Sequence, residues 1–504
     1  MEKQVLIVGA GPTGLALALG LKKQGIPFRI IDKNAGPGTA SRAMVVAART
    51  LEFYHQYDVA EDLIRSGIKV ESADFYKNKK LWASLKVKDF GKEISPYPYI
   101  LSIPQDEHET ILVEQLRARG VEVEWNTELI SFIENKDQIQ VKIDKTGIKE
   151  EETYDYLCGC DGAHSMVRKT LGFDFAGGTY EQMFYVADVK SSTPNLSFFA
   201  NLLEDGFCLS IPIRTTGHVR LIGLIPKYIL SQGIPSDFTP LIPYVEKNVN
   251  LKVDTVNWYS PYKVHHRVSE HFRKGRVFIA GDAGHIHSPV GGQGMNTGIG
   301  DAINLAWKLS AVLHKKADEK ILDSYESERI GFAKSLVSTT DRAFTVVVSD
   351  GMGANAIKSV VPYLLPIMTK LPTIRKKMFK IISQTQIHYQ TSMLSEGSAG
   401  QVHGGDRLPW IQTDYGDNFD YLRSGDWQFH VYGEATQDLR KLAKYSAIPI
   451  HEIKWTTSMK DIGVPRNCVL LVRPDGYVAL ANVHQDTNKI KVYLDKFKIS
   501  SIRH

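Results

Sequence analysis

Residues 5–32 constrain the fold more than any other stretch of this chain. Val5-Leu6-Ile7-Val8 is a short, wholly apolar run of the kind that forms a buried strand. Gly9-Ala10-Gly11-Pro12-Thr13-Gly14 follows as a turn, residues 15–23 have helical character, and Phe28-Arg29-Ile30-Ile31 is a second buried strand ending at Asp32. Strand, turn, helix and strand at this spacing make one βαβ unit. Within it Gly9 permits the tight turn, Gly11 lets the backbone approach a pyrophosphate, and Gly14 lets helix and strand pack closely. Pro12 and Thr13 open a helix whose free amides and positive dipole end suit phosphate. Asp32 is placed to accept hydrogen bonds from an adenosine ribose, and Lys33 beside it is counted among the same contacts. A glycine-rich turn with a surface aspartate is the bland alternative. The buried strand before the glycines and the acid after the second strand favour dinucleotide binding.

A chain of 504 residues is too long for one compact core, so two or three domains are expected. The formal charge of +5 is small for that length. Its densest basic group, Arg375, Lys376, Lys377 and Lys380, is expected on a solvated helix face, and no nucleic-acid partner is expected. Cys158, Cys160, Cys208 and Cys468 form no disulfide framework and have no zinc-ligand spacing. No charged leader precedes an apolar stretch and no run is long enough to span a membrane, so a reducing, cytoplasmic setting is expected.

Farther along, a helix is expected at about 107–119, a strand at 121–125, and a half-exposed strand in which Ile139, Val141 and Ile143 alternate. From 177 to 261 the pattern becomes strands divided by turn residues, such as 184–189, 207–213 and 219–225. That reads as a mostly antiparallel sheet inserted into the nucleotide-binding domain. A buried strand at 277–280 and a long helix at 295–313 return to the first domain, and further helical segments run to about 394. The Gly-rich stretch 397–405 reads as a linker. The expected fold class is α/β, with a Rossmann-type domain at 1–176 continued at 262–345. The inserted β-sheet domain occupies 177–261, a helical segment 346–396, and a small C-terminal α/β domain 397–504.

Two more segments carry chemistry. One is Cys160-Asp161-Gly162-Ala163-His164-Ser165-Met166-Val167-Arg168. The other is Ala280-Gly281-Asp282-Ala283-Gly284-His285, continuing through Pro289 to Gly291-Gly292-Gln293-Gly294-Met295-Asn296. Each alone reads as a turn, since Asp-Gly is a common one and Asp282 can cap a helix. In this order, after the first segment, they resemble the three fingerprints of the single-component FAD-dependent aromatic hydroxylases, the para-hydroxybenzoate and phenol hydroxylase group. The resemblance extends to Ser41-Arg42-Ala43, Arg49-Thr50-Leu51-Glu52, Gln105, Tyr325-Glu326-Ser327-Glu328-Arg329 and Arg473-Pro474-Asp475-Gly476-Tyr477, and so covers nearly the whole chain.

The resemblance implies roles. Asp282 would hydrogen-bond the ribityl chain and Asp161 would sit near the pyrophosphate of FAD. Arg42 and Gln105 would contact the cofactor from the si or edge side, and Pro289 would place its carbonyl beside the reactive flavin carbon, making Pro289 and Arg42 the catalytic candidates. The amides of residues 292–296 would stabilise negative charge on the flavin pyrimidine ring. Asp32 stands where the group usually has glutamate, and Gly284 where it often has alanine. His285 occupies a position where histidine is common and usually structural, while His287 is a weaker substrate-contact candidate. Phe198, Phe199, Phe207 and Tyr185 are candidates to line the aromatic-ring space, and no substrate-deprotonating residue can be named.

The implied reaction is monooxygenation: NADPH reduces the flavin, O2 adds as a hydroperoxide, and one oxygen passes to a phenolic or polyketide-like aromatic. No second Gly-rich nucleotide unit is present, which fits NADPH docking transiently on the FAD domain. The rival readings are Baeyer-Villiger-type insertion or antibiotic inactivation, and a flavin-binding interaction protein of vestigial activity. The halogenase signature Trp-x-Trp-x-Ile-Pro is absent, so halogenation is not expected. The C-terminal domain resembles the thioredoxin-like domain of the phenol hydroxylase branch but has no Cys-x-x-Cys. A structural or dimerising role is therefore expected for it, with a homodimer as the assembly.

Overall fold

The computed structural model describes residues 4–38, 43–193, 197–203, 206–214, 217–287, 292–348, 368–414 and 416–500. Its organising layer is a parallel sheet of β1 (Val5–Val8), β2 (Phe28–Ile31), β3 (Tyr156–Gly159) and β4 (Val277–Ile279), ordered β4-β3-β1-β2. β1, β3 and β4 are apolar without alternation and buried along their length, whereas β2 carries the buried Arg29. A short antiparallel strand, Arg273–Lys274, edges β4.

Helix α1 (Pro12–Lys23) follows β1 directly. The other helices used below are α2 (Ala48–Gln56), α3 (Gln105–Ala118), α4 (Met166–Leu171), α5 (Gly294–Leu313) and α6 (Asp323–Val348). Small residues set how close α1 and α5 come. A Cβ on Gly20 would lie 2.6 Å from the Cβ of Ala306, and one on Gly298 would lie 2.4 Å from Thr13 Oγ1. Most of α5 is buried, and Asp301 and Lys308 are its only charged residues. The expected strand at 121–125 is reduced to a single bridge between Glu124 and Ile31. Its charged residues are instead used as anchors: Glu124 takes both Nε and Nη2 of the buried Arg29, each at 2.7 Å.

The inserted sheet has eight strands. Its long members Phe175–Lys190 and Thr255–Ser269 pair antiparallel, and His218–Leu224, Gly206–Arg214 and Phe198–Leu203 continue it. Two further strands, Ser72–Lys77 and Lys80–Lys86, extend it from outside 177–261, and the first pairs parallel with Phe198–Leu203. That recruitment joins residues far apart in sequence, and local pattern carries no sign of it.

The C-terminal part builds on β5 (Gln428–Tyr432), β6 (Ile450–Ile453), β7 (Val469–Val472) and β8 (Val478–Asn482) in the order β6-β5-β7-β8. Helices α7 (Gln437–Ser446) and α8 (Thr487–Phe497) pack on it around Phe429, Leu471, Ile490 and Leu494. The stretch 397–405, expected as a linker, instead supplies two strands of this sheet, with Gly397 alongside Ala481. Its glycines serve close approach: Gly397 has φ +73° and a Cβ there would lie 2.3 Å from Ala481 O. Of the expected helical segment 346–396, residues 349–367 lie outside the described residues. Pro372–Ile382 is helical and carries the basic group of residues 375–380.

The C-terminal sheet meets the first domain through buried charge. Arg473 Nη1 and Nη2 donate to Glu328 of α6 at 2.7 and 2.9 Å, and Lys308 Nζ of α5 donates to the same carboxylate at 2.8 Å. Asp475 accepts from Trp307 Nε1 at 3.0 Å, and its carbonyl accepts from Arg49 of α2 at 2.8 Å. Arg49 also donates to Glu52 at 2.9 Å, which takes Arg407 Nε at 2.9 Å from the C-terminal side. Three motifs that sequence reasoning singled out without a role, at 49–52, 325–329 and 473–477, thus meet in one network.

Candidate active site

Three chain reversals meet at the carboxyl edge of β4-β3-β1-β2. Val8 pairs with Gly159 and Gly159 with Ile279, so the residues leaving these strands are neighbours: Gly9, Asp161 and Asp282 with their flanks. Backbone bonds continue past the strand ends, with Cys160 N–H donating to Val8 O at 2.7 Å and Ala280 N–H to Gly159 O at 3.0 Å. In open parallel sheets this edge is where ligands bind.

The first reversal is held without slack. Gly9 has φ +104° and a Cβ there would lie 2.3 Å from Cys160 O, while one on Gly14 would lie 1.9 Å from Gly9 O. A Cβ on Gly11 would meet nothing within 4 Å, so its flank is open to a ligand. Asp32 Oδ2 accepts from Ala10 N–H at 2.7 Å and Oδ1 from Asn34 N–H at 2.8 Å, which fixes the acid at the turn. Lys33 is exposed beside it.

In the second reversal Asp161 Oδ2 accepts from Met166 and Val167 N–H at 2.7 and 3.1 Å, and Ser165 Oγ accepts from Arg168 N–H at 2.9 Å. These bonds cap the short α4. Asp161 Oδ1 is buried with no hydrogen-bond partner in the protein. A buried acceptor left so costs roughly 1–3 kcal/mol, which a ligand donor would recover. Arg168 braces the second reversal to the third, donating to Ala163 O at 2.9 Å and Ala283 O at 2.8 Å.

The third reversal turns at Gly281 (φ +62°), where a Cβ would lie 2.4 Å from Thr13 Oγ1. Asp282 is exposed at the edge of the sheet. Gly292, also at positive φ (+61°), lies against Val45, and Gly294 and Met295 form the first turn of α5. The Asn296 side chain is fully engaged. Its Oδ1 accepts from Ala47 N–H and Thr50 Oγ1, both at 2.8 Å, and its Nδ2 donates to Val45 O at 2.8 Å and Gly292 O at 3.0 Å. What this residue can offer a ligand is its main chain. Gln105, first in α3, exchanges main-chain and side-chain bonds with Ala43 at 3.1 and 3.3 Å and donates to Glu109 at 2.8 Å. Burial pushes the Glu109 carboxyl up, against the pull of its bonds from Gln105 and Gly38. Arg42 and Pro289 lie outside the described residues.

The inserted sheet sorts its aromatics by face, as strand alternation requires. Phe184, Phe207, Phe198, Trp258 and Tyr262 cluster with Met44 and Val45, the segment that touches the start of α5. Tyr185 and Phe199 lie in the cluster on the other face, with Phe238 and Val245. Only two of the four sequence candidates, Phe198 and Phe207, therefore share a side with the flavin-loop segment. His265 bonds Thr179 at 2.7 Å on the strand returning from the sheet, and His285 is fully buried. Cys158 and Cys160 pack in the core with thiol pKa values pushed up by burial, which leaves them unreactive.

Sequence reasoning missed Asp301, whose carboxylate bonds Gly281 N–H, and its partner Arg329 was quoted only within a motif. The usable signal was an acid among the apolar and small residues Ile299, Gly300, Ala302 and Ile303 of α5. Among the described residues no cluster of three or more metal-ligating side chains occurs. None of the described helices is long and apolar enough to cross a membrane. The open flank at Gly11, the orphaned Asp161 oxygen and two helix N-termini fit an extended anionic dinucleotide.

Comparison with known proteins agrees. The FAD binding domain family model matches residues 2–340. 6-Methylpretetramide 4-monooxygenase of Streptomyces rimosus is 31% identical over 525 residues, spanning 97% of this chain and 93% of that one. A flavin-dependent monooxygenase of Mycobacteroides abscessus is 31% identical over 501 residues, spanning 94% and 96%. The solved structure of OxyS anhydrotetracycline hydroxylase from Streptomyces rimosus matches with a TM-score of 0.79 at 25% identity, over 99% of both chains. The chain belongs to the FAD binding domain family, as an FAD-dependent monooxygenase of the aromatic hydroxylase type.

Proposed function

We propose that this monooxygenase uses NADPH and O2 to place one oxygen atom on a phenolic or polyketide-like aromatic. The observation that carries the reading is the aromatic sheet face of Phe184, Phe198, Phe207, Trp258 and Tyr262, which shares a cluster with Met44 and Val45 beside the start of α5. The names of relatives similar over nearly the whole chain, acting on 6-methylpretetramide and anhydrotetracycline, support a fused-ring substrate.

Bound FAD supplies the electron transfer and oxygen activation. The chain binds and orients it. Gly9, Gly11, Gly14 and the first-turn amides of α1, with Pro12 and Thr13, cradle the pyrophosphate, and Asp32 with Lys33 takes the ribose end. Asp161 Oδ1 accepts from the cofactor side, and Asp282 accepts from a ribityl hydroxyl. The main chain of Gly292, Gly294, Met295 and Asn296 faces the pyrimidine edge, where the positive end of α5 favours negative charge. By the family resemblance, Gln105 and Arg42 would flank the ring system, and the Pro289 carbonyl would border its reactive side. The aromatic sheet face, which also carries the buried Arg220–Asp188 pair, keeps water from the reacting atoms.

NADPH docks on the FAD domain. The C-terminal sheet order β6-β5-β7-β8, with β5 and β6 parallel and β7 antiparallel to β5, supports a thioredoxin-like domain in a structural or homodimerising role. Four free, buried thiols suit a cytoplasmic setting.

The test is a panel of phenols and fused-ring polyketides, each measured for stimulated NADPH oxidation with products identified by mass spectrometry. A product heavier by one oxygen with its ring intact is expected. A ring-expanded lactone would establish the Baeyer-Villiger outcome instead. Absence of both acceleration and oxygenated product across the panel would end the reading.

A further inference from the structure

Asp301 lies in the third turn region of a helix whose neighbours at that depth are apolar or small, and it is fully buried. One of its oxygens, Oδ2, accepts from Gly281 N–H at 3.0 Å and meets His285 Nε2 at 2.7 Å. Gly281 and His285 are the first and last residues of the five-residue reversal that carries Asp282. A single carboxylate oxygen therefore fixes both ends of that reversal. The other oxygen accepts from Arg329 Nε at 2.6 Å.

The arrangement is dear to build and has no slack. A buried carboxylate is tolerable only when paired and fully bonded. Burial would push the Asp301 carboxyl up, but Arg329 and His285 hold it below the usual range, so it stays an anion. Arg329 is itself fixed, by Tyr389 Oη at 2.7 Å and Thr297 O at 3.1 Å. On its opposite side the reversal is wedged by Thr13, which a Cβ at Gly281 would strike. Phe272 stacks on the His285 ring at 5.9 Å and limits its tilt. A carboxylate needed only to staple α5 to α6 would require Arg329 alone.

We infer that Asp301 is a positioning residue of the flavin site, holding the 281–285 reversal so that Asp282 meets the ribityl chain. The inference rests on the proposed role of Asp282. Held this way, Asp282 reaches the cofactor from a turn already in its bound shape, and little ordering remains for binding.

The test measures FAD affinity of the flavin-stripped full-length chain by quenching of FAD fluorescence, with thermal melting of the same samples. Asp301→Asn is expected to weaken FAD at least about 10-fold, and His285→Phe, which keeps the stack on Phe272, about 5-fold. Glu328→Gln, buried on the adjoining helix residue, is expected to lower the melting temperature while leaving FAD affinity unchanged. Asp282→Asn is expected to weaken FAD as well. If Asp282→Asn binds like the wild type, the Asp282 assignment falls and the inference with it. If Asp282→Asn is weakened but Asp301→Asn and His285→Phe are not, the positioning role alone falls. Equal loss of affinity in Glu328→Gln would also overturn it, because general destabilisation would then explain the result. Should Asp301→Asn fail to fold, His285→Phe decides.

Discussion

Arg473, between β7 and β8, is bound through two guanidinium nitrogens to Glu328 of α6, and neither side chain is exposed to solvent. The pair joins the C-terminal sheet to the helices behind the flavin site. Around it Lys308, Asn304 and Ser392 donate to the same carboxylate, at 2.8, 2.6 and 2.6 Å. Arg473 also stands 5.0 Å from the Trp307 ring.

Removing one partner leaves the other charged and buried. Arg473→Met is expected to cost about 3–5 kcal/mol in urea denaturation, most of it from Glu328 stranded with Lys308 as its one cation. A change below about 1 kcal/mol would mean that water reaches the seam and screens the pair.

Gly11 and Gly14 separate binding from folding. Gly11→Ala adds a methyl group where the protein has nothing within 4 Å, so melting of the flavin-free chain is expected to be unchanged while FAD affinity falls. Gly14→Ala drives a methyl group onto Gly9 O and is expected to lower soluble yield as well. Thermal melting and FAD titration of both variants check the contrast.

Asp161→Ala removes the two bonds from Asp161 to the start of α4, leaving the Ser165 cap, and removes the orphaned acceptor. In the flavin-free chain the lost bonds, about 1 kcal/mol, are offset by the removal of the unsatisfied oxygen, so little change is expected. A larger loss is expected in the FAD-loaded chain, because FAD affinity weakens too. Equal losses with and without FAD would show that Oδ1 meets no cofactor donor.

Burial pushes the His430 imidazole down to about 3, with His451 adding to the shift. Its folded value lies below the unfolded value of roughly 6.5, so protons bind preferentially to the unfolded chain. The stability that neutral His430 contributes is present above that unfolded value and is lost as pH falls toward 3. His430→Phe is expected to lose less stability than the wild type between pH 7 and 4.5, measured by urea denaturation. Gln428, Tyr421 and His451, which surround the ring, stay in place.

Local sequence pattern specifies the units at the flavin end. The strand at 5–8, the glycines at 9, 11 and 14, the strands at 28–31 and 277–279 and the helix at 294–313 were all legible, because each is set by nearest neighbours: apolar runs, turn residues and helix starts. The same locality explains the errors. The pattern at 121–125 reads as a strand although only Glu124 bridges, and the glycines at 397–405 read as a linker although Gly397 lies alongside Ala481 of β8.

Tertiary structure alone decided which distant residues meet. Nothing near Asp301 in sequence indicates that it would hold Gly281 and His285, and nothing near Arg473 points to Glu328. Alternation showed that Tyr185 and Phe184 must face opposite ways, yet not which one would share a side with Met44. Such choices belong to the packing of one layer on another. A buried charge or ring is stable only where the fold brings its partner, and that partner lies elsewhere in the chain.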